Sequence, residues 1–118
     1  MAKTSKQITG SKGEKFACQY LIEQDFDIIE KNYRYKRAEI DIIAKKDNLL
    51  IFIEVKTRKN NDFGFPEEFV SERKIELFGI ASEEYLEQIN WKGNIRFDII
   101  ALTIEEESFE IEHLEDAF

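Results

Sequence analysis

Cysteine, proline, methionine, tryptophan and histidine each occur once in these 118 residues, and glycine only five times. One cysteine cannot close an internal disulfide, so Cys18 reads as a helix packing residue and the chain as suited to a reducing compartment. His113 has no second imidazole or thiol near it in sequence, which argues against a zinc centre. With no Pro/Gly/Ser linker, no repeat and no low-complexity tract, a single domain over residues 1–118 is expected. No apolar run is long enough to span a bilayer. The first ten residues (MAKTSKQITG) lack the apolar core of a signal peptide, so the expected location is the cytoplasm.

What is present is a packed domain's composition: 42% hydrophobic residues, ten of them Phe. The formal charge of −8 excludes coating of nucleic acid by bulk attraction. Its distribution is uneven. Residues 31–74 hold eleven Lys/Arg against eight Asp/Glu, whereas residues 75–118 hold two against twelve. The basic surplus surrounds the stretch 38–56, AEIDIIAKKDNLLIFIEVK.

Apolar spacing predicts a helix from Thr9 or Ser11 to about Gln24, with Ser11 and Glu14 resembling a capping box at its start. Strands are expected over Phe26–Tyr35, Ala38–Lys46 and Leu49–Thr57, the last two joined by a turn at Asp47-Asn48. Arg58–Phe65 reads as a polar loop, and Pro66 stands where a helix can begin. A second helix over Glu67–Ile89 has Phe69, Ile75, Leu77, Phe78, Ala81, Tyr85 and Leu86 as its apolar set. Ile95–Thr103 is a fourth strand and Phe109–Leu114 an edge strand. The order implies an α/β (α+β) domain, an αβββαβ core with a mixed sheet of four or five strands flanked by helices.

A two-residue turn at Asp47-Asn48 makes opposed residue numbers sum to 95. Asp41 then faces Glu54, and Glu39 faces Lys56. Alternation puts all four on one face, which becomes apolar toward the turn through Ile43, Leu50 and Phe52. The other face (Ile40, Ile42, Ile51, Ile53, Val55) is apolar throughout. Opposed carboxylates at the margin of a buried face repel, and need a cation or a proton. Oxygen ligands of this kind suit Mg²⁺ or Mn²⁺. Lys56 points into the same site, where an ammonium can orient a water or neutralise a phosphate. The plainer alternative for Lys56 is a cross-strand ion pair with Glu39, worth under about 1 kcal/mol if exposed.

Tyr33, Arg34, Tyr35, Lys36 and Arg37 interleave aromatic and basic groups, a composition suited to DNA contact and equally to a charged strand end. Lys74 reads as a helix lysine that either reaches the site or the DNA backbone, or is simply solvated. Arg96 and Asp98 share a face of the fourth strand, as a structural pair or a phosphate-binding group. Arg58 joins Arg34, Lys36, Arg37 and Lys74 as a candidate nucleic-acid contact.

The pattern Asp41-x12-Glu54-x-Lys56 resembles the D…(D/E)-x-K motif of the restriction-endonuclease-like nuclease superfamily. Gly13-Glu14, Glu39-Ile-Asp41, Phe52-Ile-Glu54-Val-Lys56-Thr-Arg58, Lys74, Arg96-Phe97-Asp98 and Ala117-Phe118 together resemble the bacterial YraN-like family, over essentially the whole chain. That family is similar to archaeal Holliday-junction resolvases. The resemblance implies that Asp41 and Glu54 ligate Mg²⁺ (or Mn²⁺) with the Val55 carbonyl, that Glu14 adds a carboxylate, and that Lys56 serves the attacking water. Two positions depart from the family pattern: Ala38 replaces a usual Gly, and Asp116 a usual Asn.

The leading expectation is therefore a Mg²⁺-dependent phosphodiesterase acting on DNA, of branched or structured form, in repair or recombination. A homodimer would be needed for symmetric cutting. The alternatives are a non-catalytic module that grips DNA or a protein, and an acidic docking surface around Glu105, Glu106 and Glu107.

Overall fold

A computed structural model describes residues 5–59, 71–106 and 108–118, without the side chains of 5–11 and 59. The element order is α1 (Ser5–Glu23), β1 (Asp27–Tyr35), β2 (Ala38–Lys46), β3 (Leu49–Lys59), α2 (Glu72–Ile89), β4 (Asn94–Glu105) and β5 (Ser108–Leu114). The strands form one mixed sheet in sequence order, β1-β2-β3-β4-β5. All neighbours are antiparallel except β3 and β4, which run parallel and are joined through α2. This is the expected α+β architecture.

The hairpin register is the one the turn dictates. Ile42 opposes Ile53, Ile43 opposes Phe52, and the ladder runs down to Lys46 opposite Leu49. Asp47 takes the left-handed conformation (φ 53°), which Asp tolerates better than most residues.

Each face of the sheet carries a helix. On one face, Ala17 and Leu21 of α1 pack on Ile42, Ala44, Ile51, Ile53, Ile100 and Leu102. On the other, Phe78, Ala81 and Tyr85 of α2 pack on Ala38, Ile40, Ile43, Leu50 and Phe52. Each fully buried Ile, Leu or Phe removes enough apolar area to contribute about 1.5–3 kcal/mol. Cys18 packs against the α1-side core, as expected. At the C-terminus Phe118 sits edge-on to Phe78, with centroids 4.9 Å apart, and the Ala117 amide donates to the Phe97 carbonyl at 2.8 Å.

Three expectations need correction. First, α1 begins at Ser5, so Ser11 and Glu14 lie inside the helix and do not cap it. No proline interrupts the turn before Ser11, and the chain tolerates the propensity cost of Gly10 and Gly13. Gly13 is required by contact: a Cβ there would overlap the Thr57 hydroxyl, where α1 crosses β3. Second, β3 continues through Arg58 to Lys59 because β4 pairs alongside it as far as Lys59–Ile104. Arg58 is thus a strand residue, its Nε donating to Thr103 Oγ1 at 3.3 Å, and not part of a loop. Third, Ile75 is exposed and is not part of the α2 core. The rest of the expected loop, with Pro66 and Phe69, falls in 60–70, outside the described residues. Helix α2 starts after Ser71, whose Oγ accepts the Lys74 amide.

Candidate active site

Strand β2 changes sides at Asp41. Ala38 and Ile40 pack in the α2-side core, but Ile42 and Ala44 pack in the α1-side core. Strict alternation would keep these four together. Ile40 therefore leaves the face on which alternation had put it, and Glu39 does not share the face of Asp41. The pairing of β2 with β3 also stops at Ile42–Ile53. At the next step the Asp41 side chain replaces the ladder: the Val55 amide donates to Asp41 Oδ2 at 2.7 Å. Asp41 thus sits where two strands separate, its carboxyl drawn against β3.

Glu54, one residue before Val55, is 3% exposed. Its Oε1 receives the Lys74 ammonium from α2, and Lys56 Nζ stands 3.6 Å away. Its Oε2 is buried without a hydrogen-bond partner among the described residues. An unsatisfied buried carboxylate oxygen costs free energy unless a proton or a cation meets it. The expected Glu39–Lys56 ion pair is not made: Glu39 pairs with Arg34 at 3.1 Å and Lys56 with Glu54. The change of side at Asp41 separates them.

Electrostatics follows from this crowding. Burial, then the neighbouring Glu54 charge, pushes the Asp41 carboxyl up to about 8, against the lowering pull of the Val55 amide. Burial also raises Glu14 on α1, opposed by a hydrogen bond from Asn32 and reinforced by Glu39. With its amide oriented to donate, Asn32 reaches Glu14 Oε1 at 3.2 Å and Glu39 Oε1 at 3.0 Å. Burial, then Lys74, lowers the Lys56 ammonium. Burial works against the charge of Lys74 too, but its contact with Glu54 outweighs this and raises it.

The acids open into a cleft of 390 Å³ lined by Arg37, Ala38, Glu39, Lys74, Leu77 and Phe78 among others. The fit of a divalent cation rests on two hard carboxylates, an orphaned Glu54 oxygen and an Asp41 that otherwise holds a proton near neutrality. Among the described residues no three His, Cys, Asp or Glu side chains converge closely enough to enclose an ion. A cation here would complete its shell with the Val55 carbonyl and water, as Mg²⁺ commonly does. Glu14, held by Asn32 beside Glu39, is near enough for its charge to help raise the Asp41 carboxyl.

The remaining sequence candidates divide. Of the aromatic–basic run, Tyr33 packs edge-on against Tyr85, and Arg34 is held by Glu39. Tyr35, Lys36 and Arg37 stay at the cleft margin. Ala38 is buried and is absent from the positive-φ residues, so a side chain is compatible with its backbone.

Arg96 and Asp98 form a structural centre. Asp98, fully buried, accepts two hydrogen bonds from Arg96 (2.9 Å each), one from the Asp116 amide (3.0 Å) and a 2.7 Å contact with His113 Nε2. Tyr20 of α1 closes the set at 2.8 Å from His113 Nδ1. Asp116 adopts φ 52°, a left-handed conformation that Asp and Asn both tolerate. Sequence reasoning missed the parts of Tyr20 and His113. Without the β4–β5 register, nothing along the chain brings them to Asp98.

Among the described residues no helix is long and apolar enough to cross a membrane. The sequence model of the family described as "Uncharacterised protein family UPF0102" matches residues 13–102. A UPF0102 protein of Cytophaga hutchinsonii is 50% identical over 97 residues, 82% of this chain and 86% of that protein. One from Flavobacterium psychrophilum is 46% identical over 92% of both chains. One from Clostridium botulinum is 42% identical over 100% of this chain and 98% of its own. Among solved structures, Pyrococcus furiosus SfsA in complex with Ca²⁺ is similar at a TM-score of 0.37 and 13% identity. That alignment covers 93% of this chain, which spans 63% of the SfsA chain.

Proposed function

This chain belongs to the UPF0102 family, and we propose that it is a divalent-metal-dependent nuclease hydrolysing DNA phosphodiester bonds, including those of branched DNA. The observation that carries this reading is the Asp41–Glu54 pair at the cleft, with one Glu54 oxygen buried and unpartnered among the described residues. Asp41, Glu54 and the Val55 carbonyl would hold Mg²⁺ or Mn²⁺. Such an ion, when bound, supplies Lewis-acid stabilisation of charge developing on the phosphoryl oxygens. The protein's own groups do the rest. Lys56, whose ammonium stands 3.6 Å from Glu54, can orient the attacking water and offset charge on the phosphate. Arg37 at the cleft wall can hold the phosphate in place. Symmetric resolution of a four-way junction would require a two-fold dimer.

The test is cleavage of labelled linear, flapped and four-way DNA with Mg²⁺ or Mn²⁺, comparing wild type with Asp41→Asn. Loss of cleavage by about 10²-fold or more in the variant supports the reading. No metal-dependent cleavage of any substrate by the wild type refutes it. A second reading, a non-catalytic DNA- or protein-binding module, is favoured by the two lysines already neutralising Glu54. Binding without turnover, unaffected by Glu54→Gln, would support that reading instead.

A further inference from the structure

The acidic cleft continues sideways. A second depression of 240 Å³ shares Arg37, Ala38, Arg73 and Leu77 with it and adds Tyr35, Lys36 and Ile80. Its walls are apolar, formed by Tyr35, Ala38, Leu77 and Ile80. Its lining carries three cations and, among the described residues, no carboxylate, on a chain whose net charge is −8. Lys36 Nζ lies over the Tyr35 ring, 5.3 Å from its centroid. Arg73 pairs with Glu76 at 3.3 Å, and because both partners are about two-thirds exposed the pair is weak.

The combination selects a ligand. A bare phosphate chain gains nothing from Leu77, Ile80 and an aromatic ring. A purely apolar peptide gains nothing from three cations around its rim. A nucleobase with its flanking phosphates uses both: every base has a flat π-face for Tyr35 and the aliphatic walls, and its phosphates meet the guanidinium groups. Arg37 lines both depressions, so it stands where a phosphate would join a base in the second depression to a bond over Asp41 and Glu54. A base inside a duplex is stacked on both faces and cannot enter.

We propose that this depression is a subsite for one unpaired nucleobase beside the scissile phosphate. The substrate class is then nucleic acid with a single-stranded segment at the cleavage point, such as a flap, an overhang or an open junction. The proposal rests on the phosphodiesterase reading for what happens at the acids. Base binding itself does not depend on it.

The experiment is fluorescence anisotropy in EDTA with the full chain and three labelled probes: a single strand, the same strand carrying abasic residues, and a blunt duplex. The variants are Ile80→Ser and Tyr35→Ser, both uncharged changes; Ile80 is 46% exposed, so its replacement leaves the core intact. Wild type is expected to bind the single strand roughly tenfold more tightly than the abasic strand. Each variant is expected to lose most of that difference while binding the duplex within about twofold of wild type. Equal weakening on all three probes, or no change in either variant, overturns the subsite. So does loss of a co-purifying protein partner with nucleic-acid binding untouched, which would make the depression a protein-docking site. Hydrolysis of DNA in Mn²⁺ with binding insensitive to base removal sinks the subsite and keeps the nuclease. Base-dependent binding with no hydrolysis does the reverse.

Discussion

Lys74 of α2 reaches across the cleft to Glu54 Oε1 on β3, while Glu54 Oε2 beside it has no partner among the described residues. Two elements joined outside the described residues are thus tied at the site by one ion pair. Removing one partner of a buried pair leaves the other charge uncompensated. Lys74 is partly exposed and Lys56 remains, so the cost is reduced. Lys74→Met is expected to destabilise by about 1–2 kcal/mol. In the Glu54→Gln background the same change should cost little, because no charge is left to strand. A double-mutant cycle read by urea denaturation checks this; additive losses would contradict it.

The pH profile follows from Asp41. Its carboxyl titrates near 8 when folded, against an ordinary value of 3.8, so folding takes up a proton between these values. A group raised in this way is neutral in the folded state and charged in the unfolded one across that window. Its contribution to stability therefore falls as pH rises from about 4 to about 8. Asp41→Asn should flatten this fall and melt at a higher temperature than wild type at pH 8. Melting curves at pH 5 and pH 8 read the difference, and an unchanged slope would contradict it.

Competition between that proton and a cation gives a related expectation. Metal affinity should increase as pH approaches 8, by up to about tenfold per unit, with a proton released on binding. Calorimetry of Mn²⁺ binding in buffers of different ionisation enthalpy counts that proton. Binding with neither proton release nor pH dependence would place the ion elsewhere.

Asp98 carries the opposite sign. Burial pushes its carboxyl up, but hydrogen bonds from His113, Arg96 and the Asp116 amide outweigh this and hold it low. Its stabilisation is present above the unfolded value and is lost as pH falls through the folded one. Asp98→Ala leaves the partly exposed Arg96 with only Glu115 at 3.5 Å among the described residues and removes the tie to β5, and should cost about 2–4 kcal/mol. Mn²⁺ affinity per folded molecule should be unchanged. Thermal denaturation and a metal titration together separate this structural centre from the acid cleft.

Gly13→Ala tests the crossing of α1 over β3. The added methyl meets the Thr57 hydroxyl, so overpacking should cost about 1–3 kcal/mol despite alanine's better helix propensity. Combining it with Thr57→Ala should recover part of the loss, as read by melting temperature.

The strand order and the β2–β3 register were legible because a two-residue turn at Asp47-Asn48 fixes pairing, and alternating isoleucines mark both strands. The bounds of β2 agree residue for residue with Ala38–Lys46. The change of side at Asp41 was not legible. It arises when a side chain takes the place of a ladder hydrogen bond, and alternation cannot encode that. Ile40 and Glu39 were misplaced for this reason. Lys74 was legible as a lysine able to reach the site, but its pairing with Glu54 was not, because the two meet through the packing of α2 on the sheet. The start of α1 was misread because Ser11 and Glu14 imitate a cap inside a helix. The Tyr20–His113–Asp98 set needed three separate elements to be placed first.

The most direct measurement is anomalous scattering from a crystal of this chain soaked in Mn²⁺. The account predicts a peak bounded by Asp41, the free oxygen of Glu54 and the carbonyl of Val55, absent in a soaked Asp41→Asn crystal. A soaked crystal with no peak there, and with Lys74 still seated on Glu54, would contradict it.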